Sequence, residues 1–227
     1  MQPHEESPFN PLPPVVVALC LLVGGVELAM TMGARGLVGG PGAVGWRLAA
    51  LEQYGFSAQI MDWMLTTRQF PVEHMMRFVT YPFVHGNFTH AMFAMVMLLA
   101  LGKIVGETLG SLPMLAIFVL SGVCGAAVYG LAVDTPALLF GAFPSIYGLI
   151  GGFTYILWLR LGQMGEAQIR AFSLIGILLF LQLIFGLFFG GGPDWIADIS
   201  GFVAGFLLAM VLIPGGWARL LQKLRGG

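Results

Sequence analysis

Few residues of this 227-residue chain could do chemistry, and most of those lie in apolar surroundings. Ser145 sits in GAFPSIYGLIGG, which begins at Gly141, and Ser200 in ADISGFVAG; His85 and His90 share the stretch RFVTYPFVHGNFTH. Glu27, Gln182 and Asp198 interrupt long apolar runs. Ser145 raises the question of whether its segment is catalytic, a damaged copy of a catalytic segment, or a well-packed helix. Ionisable groups inside a membrane are costly, so Glu27, His85, His90 and Asp198 each need a reason. Each also has a structural reading. Glu27 can face a helix partner or snorkel to an interface, His85 can anchor the loop before its helix, and His90 can be a satisfied structural histidine. Asp198 closely follows a glycine-rich turn and can sit in the first turn of a helix, where the dipole favours a carboxylate.

Metal chemistry is not expected. On a helix at ~100° per residue, His85 and His90 would stand about 140° apart and would not converge as an i, i+4 pair does. There is no HExxH motif, and no other cofactor is implied. Cys20 and Cys124 lie in separate apolar segments at a spacing that fits no zinc or redox motif, and they read as buried free thiols.

The elements that must position these residues are membrane helices. The chain is 58% hydrophobic and 9% charged, with a mean hydropathy of +0.88, whereas soluble domains carry roughly a quarter charged residues. Apolar spans fall near 14–33, 88–105, 112–132, 141–160, 171–189 and 196–214, separated by proline and glycine clusters. In a bilayer each must be a helix that satisfies its own backbone. The fold class expected is therefore an all-α polytopic membrane protein, a six-helix bundle forming one membrane domain over 14–214. A tail at 1–13 precedes it and a basic tail at 215–227 follows it. The long loop from about 34 to 87 contains two amphipathic pieces, VGWRLAALEQYGF and SAQIMDWMLTTRQF. It is expected to be helical and to lie partly in the outer leaflet, an ordinary structured connector being the alternative.

Charge gives the orientation. Lys103, Arg160, Arg170, Arg219, Lys223 and Arg225 share the side of both termini. The short loops around Asp134 and Asp194 on the other side have no Lys or Arg, and Arg35, Arg47, Arg68 and Arg77 all lie in the long loop. Both termini are therefore expected in the cytoplasm, and a bacterial inner (plasma) membrane is the expected location. The opening MQPHEESPFNPLPP lacks the basic start of a cleavable signal peptide. A net charge of −1 without a basic run gives no case for nucleic acid, and no 20–50-residue repeat is evident. Gly201 and Gly205 form a G-x-x-x-G pair, and Gly148, Gly151 and Gly152 crowd the fourth span, so those two helices are expected to pack face to face.

Taken in order, RFVTYPFVHGNFTH, GKIVGETLGS, GAFPSIYGLIG and ADISGFVAG resemble the rhomboid family of intramembrane serine proteases. The likeness covers about Arg77 to Leu208 and includes His85 with His90, and Glu107 with Leu109 and Gly110. It implies a Ser–His dyad on the fourth and sixth helices, with an asparagine and a histidine on the second to stabilise the oxyanion. This chain departs from the pattern at each chemical position but one. Phe143 stands where the serine belongs and Pro144 where a glycine follows it. Asp198 replaces the histidine of the sixth helix, Ala94 replaces the asparagine, and His90, with Tyr147 on the fourth helix, is retained.

Phenylalanine has no nucleophilic atom. Ser145, about 200° further round a helix, should face away from the cleft. An aspartate near its usual pKa of ~3.9 is a poor base for a serine proton at neutral pH. Asp198 is expected to accept from Tyr147 or to pair with His90, with Phe143 filling the vacated site. The resemblance thus implies a catalytically degenerate rhomboid-like protein with no catalytic residue. Its partners would be transmembrane segments of other membrane proteins and the lipid bilayer. Such helices would approach beside the fifth span, where Phe180, Phe185, Phe188 and Phe189 read either as a gate or as lipid-facing surface. The alternative is an active protease using Ser145 or Ser200 with His90. A small transporter, suggested only by Glu27, Asp198 and Gln182, lacks paired broken helices or an inverted repeat.

Overall fold

Prolines and glycines set the helix limits. The computed structural model describes residues 12–189 and 191–213, without the side chains of residues 185, 186 and 189. Most of the N-terminal tail and the whole basic tail, with Arg219, Lys223 and Arg225, lie outside the described residues, as do the side chains of Phe185 and Phe189. Helix α1 (Pro14–Ala34) opens on a proline, whose missing N–H costs nothing at the first helical position. Helices α2 (Trp46–Tyr54) and α3 (Ala58–Thr67), then the single turns α4 (Val72–Met75) and α5 (Arg77–Thr80), make up the long loop. The loop is thus helical, as expected.

Helix α6 (Phe88–Leu109) is capped by Asn87, whose side chain accepts from the His90 N–H at 2.9 Å. It ends at Gly110, at φ +99, a conformation that lets α7 (Ser111–Ala132) start at once. That turn accounts for the glycine of the GETLGS motif. Helices α8 (Phe143–Gln163), α9 (Ser173–Phe189) and α10 (Trp195–Leu212) complete the chain.

The six long helices lie on the six apolar stretches, with shifted ends. The second runs on to Leu109, the fourth starts at Phe143 and reaches Gln163, and the fifth starts at Ser173 after a 3-10 turn over Gln168–Phe172. Four of them, α1, α6, α7 and α10, are long and apolar enough to cross a bilayer by length and composition. This is an all-α polytopic membrane fold. One feature departs from all-α: Phe56–Ser57 (β1) pairs antiparallel with Leu138–Leu139 (β2), Phe56 opposite Leu139. The pairing satisfies backbone groups of two linkers that meet beside a buried aromatic cluster, in which the Phe56 ring lies edge-on to Phe78 at 4.8 Å.

Helix α8 is the inner helix, buried without a break from Pro144 to Gly152. Its main neighbours are α10 and α7. The approach to α10 is backbone to backbone. A β-carbon on Gly201 would strike the Pro144 carbonyl, one on Gly205 would overlap the Gly148 backbone, and one on Gly151 would strike the carbonyl of Phe202. Face-to-face packing therefore holds for Gly148, Gly151, Gly201 and Gly205. Gly152 is a correction. It faces Ile117 of α7 and Val105 of α6, because the residue after Gly151 turns about 100° away from the α10 seam. Helix α7 joins at the same level, where a β-carbon on Gly125 would lie 2.7 Å from the Ala197 carbonyl oxygen.

Gly205→Ala should therefore destabilise the bundle by about 1–3 kcal/mol, since the atoms in its way are backbone and cannot move aside. Gly176→Ala on α9, where the added carbon meets nothing, should stay within about 1 kcal/mol of the parent. Denaturant unfolding in detergent micelles compares the two.

Candidate functional site

The site is assembled by the strand-like segment that leads into α8. Gly141 takes φ +92, and a β-carbon there would lie 2.9 Å from His90 Nε2, so only glycine lets the backbone rest on that imidazole. The Gly141 N–H donates to the Tyr81 carbonyl at 2.9 Å, and the Ala142 N–H donates to His85 Nε2 at 3.3 Å. His85 is the anchor of the loop, as its structural reading held. Its ring meets that of His90 edge-on at 5.1 Å. The two histidines do converge, contrary to the helical-wheel expectation, because His85 precedes the helix and is not subject to its rotation. Among the described residues no group of three or more His, Cys, Asp or Glu could hold a metal ion.

Phe143 occupies the first position of α8, and its ring stacks on the His90 imidazole at 5.1 Å with 12° between the planes. Phe140 closes another side of the same imidazole at 6.0 Å. Ala94, one turn beyond His90 on α6, is buried and supplies no polar atom. Ser145 is fully buried and faces α7, with its Oγ against Gly122 and without a hydrogen-bond partner among the described residues. Ser200 turns its hydroxyl back to the Ile196 carbonyl at 2.6 Å.

Asp198 lies in the first turn of α10 and is buried. Neither partner named from the sequence holds it. Gln182 of α9 donates through Nε2 to Asp198 Oδ2 at 2.9 Å, and the Tyr147 hydroxyl reaches Gln182 Oε1 at 3.4 Å. Tyr147 is one link removed because the amide of Gln182 stands between α8 and α10. His90 is engaged by Phe143 instead. Gln182 is therefore a site residue that the sequence offered only as a stray amide in FLQLIF; its polarity inside an apolar run was the signal.

Glu27, 3% exposed in α1, faces a helix partner. Arg47 of α2 grips it with two hydrogen bonds, Nη1 to Oε2 at 2.9 Å and Nη2 to Oε1 at 2.6 Å, and Thr31 donates to Oε1 at 2.8 Å. Arg47 Nη1 also donates to the His85 carbonyl at 2.7 Å. One buried ion pair thus ties the long loop and the His85 segment to α1. Cys20 and Cys124 are free thiols, half-buried and far apart in sequence.

Fold and site together define a class: a multi-pass helical membrane protein whose α8 and α10 meet through glycines and whose α8 begins against a pair of histidines. The family model described as Rhomboid domain matches residues 72–215, more than half of the chain, and the chain belongs to the rhomboid family. It is similar to RHOMBOID-like protein 5 of Arabidopsis thaliana, at 28% identity over 138 residues. That match takes in 60% of this chain and 44% of the plant protein, so this chain spans less than half the length of that relative.

Burial, and secondarily the neighbouring His90, hold His85 down at about 4. Free imidazole titrates near ~6.5, so as pH falls the unfolded chain takes up this proton first. The stability that neutral His85 contributes is present above about pH 6.5 and is lost as pH falls towards 4. Between those limits the parent should lose up to about 3 kcal/mol more than His85→Asn. Unfolding midpoints measured across that range check the difference.

Proposed function

We propose that this chain is a rhomboid-like pseudoprotease, which binds transmembrane segments of other membrane proteins without cleaving them and serves as an assembly, stabilising or quality-control partner. The observation that carries this reading is the Phe143 ring stacked on His90, an apolar group where the family's pattern places the nucleophile. Two further observations support it. Ser145 faces α7 and not the histidines, and Asp198, in the place of the base, is engaged by Gln182. A carboxylate there would also oppose, not stabilise, a developing oxyanion.

The scaffold for helix recognition is retained. Helix α9 exposes Ile177, Phe180, Leu183, Leu187 and Phe188 along its outer surface, an apolar face of the kind that a neighbouring transmembrane segment or lipid covers. The Lys and Arg bias of the short connections supports a reading with both termini in the cytoplasm, and the membrane we propose is a bacterial inner membrane.

The test is incubation of the purified protein with a fluorophosphonate probe and a generic single-span substrate. The expected outcome is no labelling and no cleavage, with saturable binding of the substrate helix. Labelling that disappears on Ser145→Ala or Ser200→Ala would instead establish an active protease with displaced residues.

A further inference from the structure

The partners of Asp198 leave half of its carboxylate unused. The residue is 5% exposed, Oδ2 accepts from Gln182, and Oδ1 is buried with no hydrogen-bond partner among the described residues. Among the described residues no Lys, Arg or His forms an ion pair with it; the ion pairs present are those of Glu27, Glu73, Glu107 and Glu166. Asp194, the N-cap residue of α10, stands four residues earlier and adds a second acidic group near the start of the helix. A buried carboxylate with a free acceptor and no counter-charge favours a cation above any other ligand.

The cover over this group is slight. Gln182 belongs to α9, the shortest of the six long helices at 17 residues. Among the described residues, a β-carbon on Gly176 would meet nothing within 4 Å, and most of the large side chains of α9 point outward. The side-chain hydrogen bonds from α9 to the bundle, among the described residues, both run through Gln182. An incoming helix therefore needs to displace one amide to reach Asp198.

We infer that Asp198 is the docking point for a cationic side chain, Lys or Arg, carried by a transmembrane helix that lies against α9 and replaces Gln182 on the carboxylate. The inference rests on the reading that this protein binds transmembrane segments, and it names their chemistry. A client amide would only exchange one neutral donor for another. A cation gains the charge attraction, and arginine can use Oδ1 and Oδ2 together. The client gains as well, since a lone Lys or Arg is costly in lipid.

The experiment uses the full chain in liposomes with fluorescently labelled single-span polyleucine helices. These carry Lys, Gln or Leu at one position, about one turn inside the end of the span that matches the start of α10. Energy transfer reads the binding. The Lys helix should bind about tenfold more tightly than the Leu helix, with the Gln helix close to Leu. Asp198→Asn, nearly isosteric and still able to pair with Gln182, should bring the Lys helix to the level of the Leu helix, whose unchanged binding reports that the variant is folded. Gln182→Leu should keep or raise the preference for Lys. Saturable but equal binding of Lys and Leu helices by the parent overturns the cationic site and leaves helix binding intact. A Lys preference that survives in a folded Asp198→Asn protein, or disappears in Gln182→Leu, also overturns it. If none of the helices binds, both readings fall.

Discussion

The contact on which the rest of the structure depends is the backbone-to-backbone approach of α8 and α10. Side chains would hold two helices about 8–10 Å apart between axes; here Gly201 and Gly205 press on the carbonyls of Pro144 and Gly148, and Gly151 on that of Phe202. In lipid there is no hydrophobic drive to bring helices together, so close van der Waals contact between small residues must supply the attraction. The seam fixes the depth and rotation of both helices at once. Phe143 at the head of α8 and Asp198 in the first turn of α10 owe their places to it.

What the seam positions is the head of α8, where Phe143 meets His90, and the first turn of α10, where Asp198 meets Gln182. The segment over Gly141 is held by Tyr81 and His85, and the His85 segment is held in turn by Arg47, which draws on the buried carboxylate of Glu27. This is a rigid frame for His90. A buried ion pair of this kind is costly to desolvate and weak evidence for stability in itself; its effect here is positional, since one guanidinium joins α1, α2 and the loop before α6. Inside the frame, an aromatic ring lies on the imidazole and an amide lies on the carboxylate.

The helices were legible in the sequence because apolar length and proline–glycine punctuation are one-dimensional signals. The glycine seam was legible for the same reason, as a four-residue spacing on two helices. Contacts that depend on a third element were not. Gly152 reads like its neighbour Gly151, yet one residue of rotation sends it to α6 and α7. The partner of Asp198 is an amide on α9, and no spacing rule connects residues 182 and 198 on two different helices. His85 and His90 meet because one of them lies outside the helix, which a wheel drawn through both cannot represent. Arg47 and Glu27 carry opposite charges that composition records, but their pairing follows from how the loop folds back on α1. The strand pair between Phe56–Ser57 and Leu138–Leu139 is too short to leave any pattern.

We propose that a rhomboid scaffold persists here while specific positions have lost the chemistry. The most direct measurement restores those positions together, Phe143→Ser with Pro144→Gly, Ala94→Asn and Asp198→His, and reads fluorophosphonate labelling of the purified protein by mass spectrometry. The restored protein should be labelled on the introduced hydroxyl at position 143 while the parent is not labelled at all. A restored protein that keeps the parent's unfolding midpoint yet stays inert, or a parent that is itself labelled, would contradict it.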